Sequence, residues 1–131
     1  MKNLLLGLLI LGNVLSFTLQ ADEGNQLYLT CLVTSDGVNP NIPRKFEVYM
    51  NIEQRNWLLV YNVAGIPTDL MKQIASGDIY QQKQTNELLQ ASFIFEDGST
   101  LDIDFKTGES KSNNIIFRQL ERGILKECKL Q

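Results

Sequence analysis

The two cysteines of this chain, Cys31 and Cys128, stand near the two ends of the sequence that follows its N-terminal apolar segment. In an exported protein, such a pair is typical of a structural disulfide. The bond would close a loop of nearly the whole domain, which the chain-entropy model values at about 4 to 5 kcal/mol. It would also place the first and last strands side by side. The alternative is a reactive thiol, but the chain has no histidine or CxxC partner to activate one.

The N-terminal segment has the three parts of a secretory signal peptide. Lys2 precedes an apolar run over residues 4–17, and the small residue Ala21 precedes an acidic pair. The run is too short for a membrane span, which needs about 20 apolar residues. We therefore expect a signal peptide over residues 1–21, with no membrane anchor after cleavage. Residues 22–131 are predicted to form a single exported β domain, periplasmic or secreted.

The charge of the chain excludes one class of partner. Without Lys2, the chain keeps 11 of its 12 basic residues against 15 acidic ones, a net charge of −4. Nucleic-acid binding requires a concentrated basic footprint, so no nucleic-acid partner is predicted. The acidic balance suits solubility and a cationic protein partner.

Short apolar alternations dominate the rest of the sequence and indicate strands. The Asp97-Gly98 pair suits a tight hairpin turn between two of them. We predict a mainly β fold, a single small antiparallel barrel or sandwich of about seven or eight strands, closed by one disulfide. The predicted strands are 26–33, 46–51, 57–63, 78–84, 88–95, 101–105 and 124–130. Residues 115–120 fit either a strand or a helix. Turn-rich or polar loops are predicted at 35–41 and 107–114.

One segment changes period and predicts a short helix. Pro67 can open it, Leu70, Met71 and Ile74 share a face, and Gly77 can close it.

Catalysis is not predicted, because the chain lacks histidine and has no GxSxG, HExxH or P-loop spacing. The remaining enzymatic option is a carboxylate pair acting on a glycoside, with Glu96, Asp97, Asp102 and Asp104 as candidates. Asp102 and Asp104 also begin like a calcium loop, but Lys106 stands where the third ligand belongs. We therefore predict no metal site and no cofactor.

A family resemblance rests on three stretches, Tyr28–Cys31 (YLTC), Ala75–Tyr80 (ASGDIY) and Cys128. Together they resemble the periplasmic inhibitors of C-type lysozyme. These inhibitors are small eight-stranded barrels with a terminal disulfide and an SGxxY segment. The resemblance implies that Ser76 and Tyr80 belong to the surface that enters the lysozyme cleft.

The same family continues to a WxKG segment, where this chain has Phe105-Lys106-Thr107-Gly108. The resemblance therefore implies that Lys106 takes the place of the family's lysine. A hydroxyl and a lysine presented from a rigid loop could hydrogen-bond the catalytic carboxylates of the enzyme. Ser76 and Gly77 also fit a helix end before a strand, which explains the glycine without any inhibitory role.

Two function classes follow from these patterns. The first is a small exported binding protein that inhibits a lysozyme or another cationic cell-wall hydrolase by loop insertion; an immunity protein against a secreted toxin would have the same features. The second is a β-barrel module that binds a small apolar ligand or an envelope partner, with Trp57, Tyr61 and Phe93 lining a cavity. Aromatic residues within strands are more often core residues, and the same holds for Tyr28 and Tyr49.

Overall fold

The computed structural model describes residues 24–34 and 41–131, so the predicted signal peptide and most of the predicted turn near residue 37 lie outside the described residues. Eight antiparallel strands form one sheet in the order β7-β6-β5-β4-β3-β2-β1-β8. The strands are β1 (Asn25–Thr34), β2 (Arg44–Asn51), β3 (Asn56–Val63), β4 (Lys72–Gln81), β5 (Leu88–Phe95), β6 (Thr100–Asp104), β7 (Glu109–Ser112) and β8 (Ile124–Leu130).

Two short 3-10 helices, Thr68–Met71 and Phe117–Arg122, interrupt the strands. Among the residues that the structure describes, no helix has the length and hydropathy needed to cross a membrane.

The last strand pairs with the first, and a backbone hydrogen bond connects the two edges of the sheet. β8 pairs with β1, and the Cys31–Cys128 disulfide, with an S–S distance of 2.10 Å, joins the same two strands. At the other edge of β8, the Leu125 N–H donates a 2.7 Å hydrogen bond to the Gly108 carbonyl, just before β7. Gly108 has a φ of +76°, and a Cβ there would lie 2.5 Å from the Leu125 oxygen. Glycine is therefore required where the two edges of the sheet meet.

The inward side of the sheet carries the hydrophobic core. Alternate residues are buried in β1, β2, β5, β6 and β7, as the period of a β-strand dictates. The second 3-10 helix adds Phe117, whose ring packs edge-on against Phe46 at 6.1 Å and stacks on Phe95 at 5.2 Å between centroids. The strand residues of the hydrophobic core cluster are Leu29, Cys31, Val33, Phe46, Val48, Leu59, Tyr61, Ala75, Ala91, Phe93, Phe95, Leu101, Ile103 and Leu125.

Most of the sequence-based strand predictions are confirmed. The strands expected at 26–33, 46–51, 57–63, 88–95, 101–105 and 124–130 lie within two residues of the observed ones at each end. The disulfide and the neighbouring positions of the first and last strands are also confirmed. Residues 115–120 lie largely in the second 3-10 helix.

The predicted helix near Leu70 is wrong beyond its first turn, and the strand expected at 78–84 begins earlier. Residues 68–71 make one 3-10 turn, and β4 then runs from Lys72 through Gly77, which closes no helix. Of the expected apolar helix face, Met71 is buried, whereas Leu70 and Ile74 are exposed. Pairing of β4 with both β3 and β5 outweighs the local helical period.

We predict that reducing the disulfide lowers the free energy of unfolding by about 4 to 5 kcal/mol, because the bond restricts the unfolded chain over almost its whole length. Urea titrations with and without dithiothreitol measure this difference. The Cys31→Ala/Cys128→Ala variant is the control, since the reductant should not change its midpoint. An unchanged midpoint in fully reduced wild-type protein contradicts the prediction.

Candidate functional site

The residues of the SGxxY segment lie on a strand and not on a loop. β4 places Ser76, Asp78 and Tyr80 on its outward side, because Ala75 and Ile79 between them pack toward the core. Ser76 and Tyr80 are four residues apart, which corresponds to about 13 Å along a strand. Both are exposed, and Tyr80 is 51 % accessible to solvent. They therefore mark two points on one outer surface of the sheet.

The pairing register gathers carboxylates onto that surface. Asp78 is opposite Ser92, which is opposite Asp102. Neither the spacing of these residues nor any motif indicates that Asp78 and Glu109 share an outward surface with Tyr80. We call the outward side of β4–β7 the acidic face. Its residues are Ser76, Asp78, Tyr80, Gln90, Ser92, Ile94, Thr100, Asp102, Asp104, Glu109 and Lys111.

The four carboxylates of the acidic face are not neutralised by ion pairs. Within the described part of the chain, none of them has a lysine or arginine nitrogen within 4 Å; the ion pair found there joins Lys72, at the start of β4, to Asp69 at 3.3 Å. Ser92 donates a 2.8 Å hydrogen bond to the Asp102 carboxylate. The face therefore presents net negative charge to solvent.

Lys106 lies at the edge of the acidic face. It is exposed in the turn between β6 and β7, and its backbone N–H donates to the Asp104 carboxylate at 2.9 Å. The Thr107 N–H donates to the same oxygen at 3.3 Å, so Asp104 fixes the turn. Tyr80 is in register with Gln90, which is in register with Asp104. Tyr80 and the Lys106 turn therefore lie toward the same end of the sheet, whereas Ser76 lies further along β4.

Gly77 has a structural role in the middle of β4. A Cβ at this position would lie 1.9 Å from the Ser92 carbonyl oxygen and 2.9 Å from the Phe93 Cα, both backbone atoms of β5. The Gly77 carbonyl also accepts a 2.9 Å hydrogen bond from the Trp57 indole. The glycine of the SGxxY segment is therefore explained by close packing of two strands.

The carboxylates considered for glycoside chemistry are distributed over two places. Glu96 and Asp97 lie in the turn between β5 and β6, whereas Asp102 and Asp104 project outward from β6. Hydrogen bonds from the Ser99 hydroxyl and backbone N–H hold the pKa of Asp97 below its usual value. Asp97 and Asp104 thus both stabilise turns. Among the described residues, no group of three or more acidic or cysteine side chains is arranged to hold a metal ion.

The aromatic residues considered as cavity lining take part in packing. Tyr61 and Phe93 are fully buried in the core. Trp57 is half-buried and packs edge-on against Tyr28 at 5.3 Å and Phe93 at 6.1 Å between ring centroids. These contacts place the three aromatic side chains in the packing of the core.

A second polar cluster lies on the outward side of β2 and β3. Tyr49 donates a 2.8 Å hydrogen bond to one oxygen of Glu47, and the Asn62 amide donates to the other. Thr68 in turn donates to the Asn62 carbonyl oxygen at 3.1 Å. Burial, followed by the bond to Glu47 and its negative charge, raises the pKa of Tyr49 to about 12. The cluster ties the first 3-10 helix to the sheet.

Comparison of the chain with family models, with characterised proteins and with solved structures gives no significant match. Its function therefore has to be argued from the surfaces described above.

We predict that Gly77→Ala destabilises the protein by about 3 kcal/mol or more, at the upper end of overpacking effects, because β4 must move away from the β5 backbone. Thermal and urea unfolding measure the change. The neighbouring Ser76→Ala variant is the matched control and should stay within about 0.5 kcal/mol, since this side chain is exposed. Equal stability of the two variants contradicts the close packing at Gly77.

We predict that ultraviolet titration resolves one tyrosine ionising near pH 12, and that Tyr49→Phe removes this step. Glu47→Gln should lower the pKa of Tyr49 only in part, because it removes the negative charge next to the phenol while burial, the largest cause of the shift, remains. The raised pKa contributes stability that is fully present below pH 10 and is lost as the pH rises through 12. An unchanged titration curve in Glu47→Gln would show that Glu47 does not cause the shift.

Proposed function

We propose that the protein is an exported binding protein that uses its acidic face to bind a cationic cell-wall hydrolase of the lysozyme type and inhibit it. The observation that carries the proposal is the juxtaposition of Ser76 and Tyr80 on one exposed sheet face with four carboxylates that form no ion pair among residues 24–34 and 41–131. The disulfide and the lack of a membrane-spanning helix among the described residues are compatible with export.

The position of the carboxylates supports a role in association. Exposed charges of one sign steer a partner of opposite charge and raise its association rate. C-type lysozymes are cationic, so the acidic face is complementary to them in charge. The uncharged residues Tyr80 and Ile94, 51 % and 56 % accessible, would supply the contacts that lose water on binding.

The geometry favours docking of a sheet face with insertion of a turn. Ser76 and Tyr80 are held on a strand, so they cannot enter a cleft as parts of a flexible loop. The element suited to entering the cleft is the turn of Lys106, which Asp104 fixes through two backbone hydrogen bonds. We infer that the Lys106 ammonium pairs with a catalytic carboxylate of the hydrolase while Tyr80 packs beside the cleft. A preorganised turn loses little conformational entropy on binding.

The test is a binding titration of the oxidised, processed protein against a panel of cationic and acidic peptidoglycan hydrolases, together with a cell-wall lysis assay. We predict binding and loss of hydrolysis for cationic members. Tyr80→Ala and Lys106→Ala should each weaken binding roughly tenfold or more, as central contacts do. Asp102→Asn should mainly slow association, and this difference should shrink in high salt.

Lys126→Ala is the matched control for Lys106→Ala, because it removes the same charge from β8 outside the acidic face. It should bind as the wild type does. Binding to no hydrolase in the panel, or equal losses in Lys106→Ala and Lys126→Ala, would contradict the proposal. Binding without loss of hydrolysis would contradict inhibition.

A further inference from the structure

A groove of about 600 Å³ opens where the sheet divides at one end. The ladder between β1 and β2 ends at the pair Leu32–Lys45. Beyond it, β1 continues beside β8, while β2 continues beside β3 up to the pair Arg44–Val63. The two strand pairs therefore diverge, and the groove lies between them and the segment that follows β3.

The lining of the groove is apolar and cationic. Leu32, Ile42 and Ile66 contribute large apolar side chains that are each about 40 % accessible to solvent. Arg44 and Lys45 contribute two positive charges. In a chain with net negative charge, the described lining contains no aspartate or glutamate. This combination matches a ligand that joins an apolar chain to an anionic group.

A buried core residue positions the guanidinium of Arg44. It donates a 3.2 Å hydrogen bond from Nη1 to the hydroxyl of Tyr61, whose side chain is fully buried. This is the guanidinium's one hydrogen bond to another described side chain, and an arginine side chain carries five N–H donors. Donors therefore remain for a carboxylate, which arginine binds in a bidentate way.

We propose that this groove binds a single-chain anionic amphiphile, with the carboxylate of a fatty acid paired with Arg44 and attracted by the nearby charge of Lys45, and its alkyl chain lying against Leu32, Ile42 and Ile66. The volume of the groove falls within the range of sites that hold one small molecule, about 300 to 1,000 Å³. The lining shares no residue with the acidic face, so the proposal does not depend on hydrolase binding.

The experiment is a calorimetric titration of the oxidised protein with dodecanoate, kept below its micelle concentration, and in parallel with uncharged methyl dodecanoate. We expect saturable binding of one dodecanoate and about tenfold or greater loss for the ester, which cannot form a charge-assisted hydrogen bond. Lys45→Gln should weaken dodecanoate binding several-fold and leave the ester unaffected. Ile66→Glu should abolish binding of dodecanoate, because it places a negative charge and a polar group in the groove.

Two matched controls make the same chemical changes elsewhere. Lys129→Gln removes a charge on β8, and Ile115→Glu alters a side chain that is 87 % exposed; neither residue lines the groove. Both should bind dodecanoate as the wild type does. Circular dichroism melting verifies that each variant is folded.

The proposal is overturned if folded wild-type protein does not bind dodecanoate, or if ester and carboxylate bind equally. It is also overturned if the controls lose as much affinity as the groove variants, or if the protein binds anionic phospholipid vesicles but not dissolved dodecanoate. Retained dodecanoate binding in protein that inhibits no hydrolase would separate this site from the acidic face.

Discussion

The pairing of the last strand with the first is the constraint on which the rest of the molecule depends. Without it, β1 would be an unpaired edge strand, a form that invites association with other chains. The Cys31–Cys128 bond joins the same strands, and the hydrogen bond at Gly108 brings the β7 edge of the sheet to β8. Side-chain alternation gives each strand an inner and an outer side. The core occupies one side, and both proposed binding surfaces use residues that remain accessible.

The sequence predicts the strands whose side chains alternate between a buried and an exposed side. The bounds of β5 match the prediction to the residue, because period-two alternation follows directly from having one buried side. The bounds of β8 match as well, although its burial pattern does not alternate. β7 was missed, since Glu109–Ser112 contains no large apolar residue. Its position comes from pairing with β6 and from Ser112, which donates from its hydroxyl to the Thr100 carbonyl and from its N–H to Glu121. These interactions are long-range and leave no local signature.

The candidate site shows the same division between local and non-local information. Ser76, Tyr80 and Lys106 were selected from short motifs, but the carboxylates beside them are neighbours through the register of four strands. The predicted helix near Leu70 is wrong for a related reason. An apolar period of three to four residues within one segment carries no information about the two strands that pair with that segment. The groove at Arg44 was also missed, since it arises where two strand pairs diverge and has no motif.

Charges of opposite sign predominate on different strands of the outer surface. Asp78 and Asp102 lie on β4 and β6, whereas Lys45, Lys126 and Lys129 lie on the outward side of β2 and β8. Lys111 on the acidic face and Glu47 on β2 are exceptions to this division. Strand pairing fixes these groups relative to one another, so a cationic partner and an anionic ligand would be attracted to different parts of the molecule. Groups carried by strands, or by turns fixed to strands, would lose little entropy at the two proposed surfaces on binding.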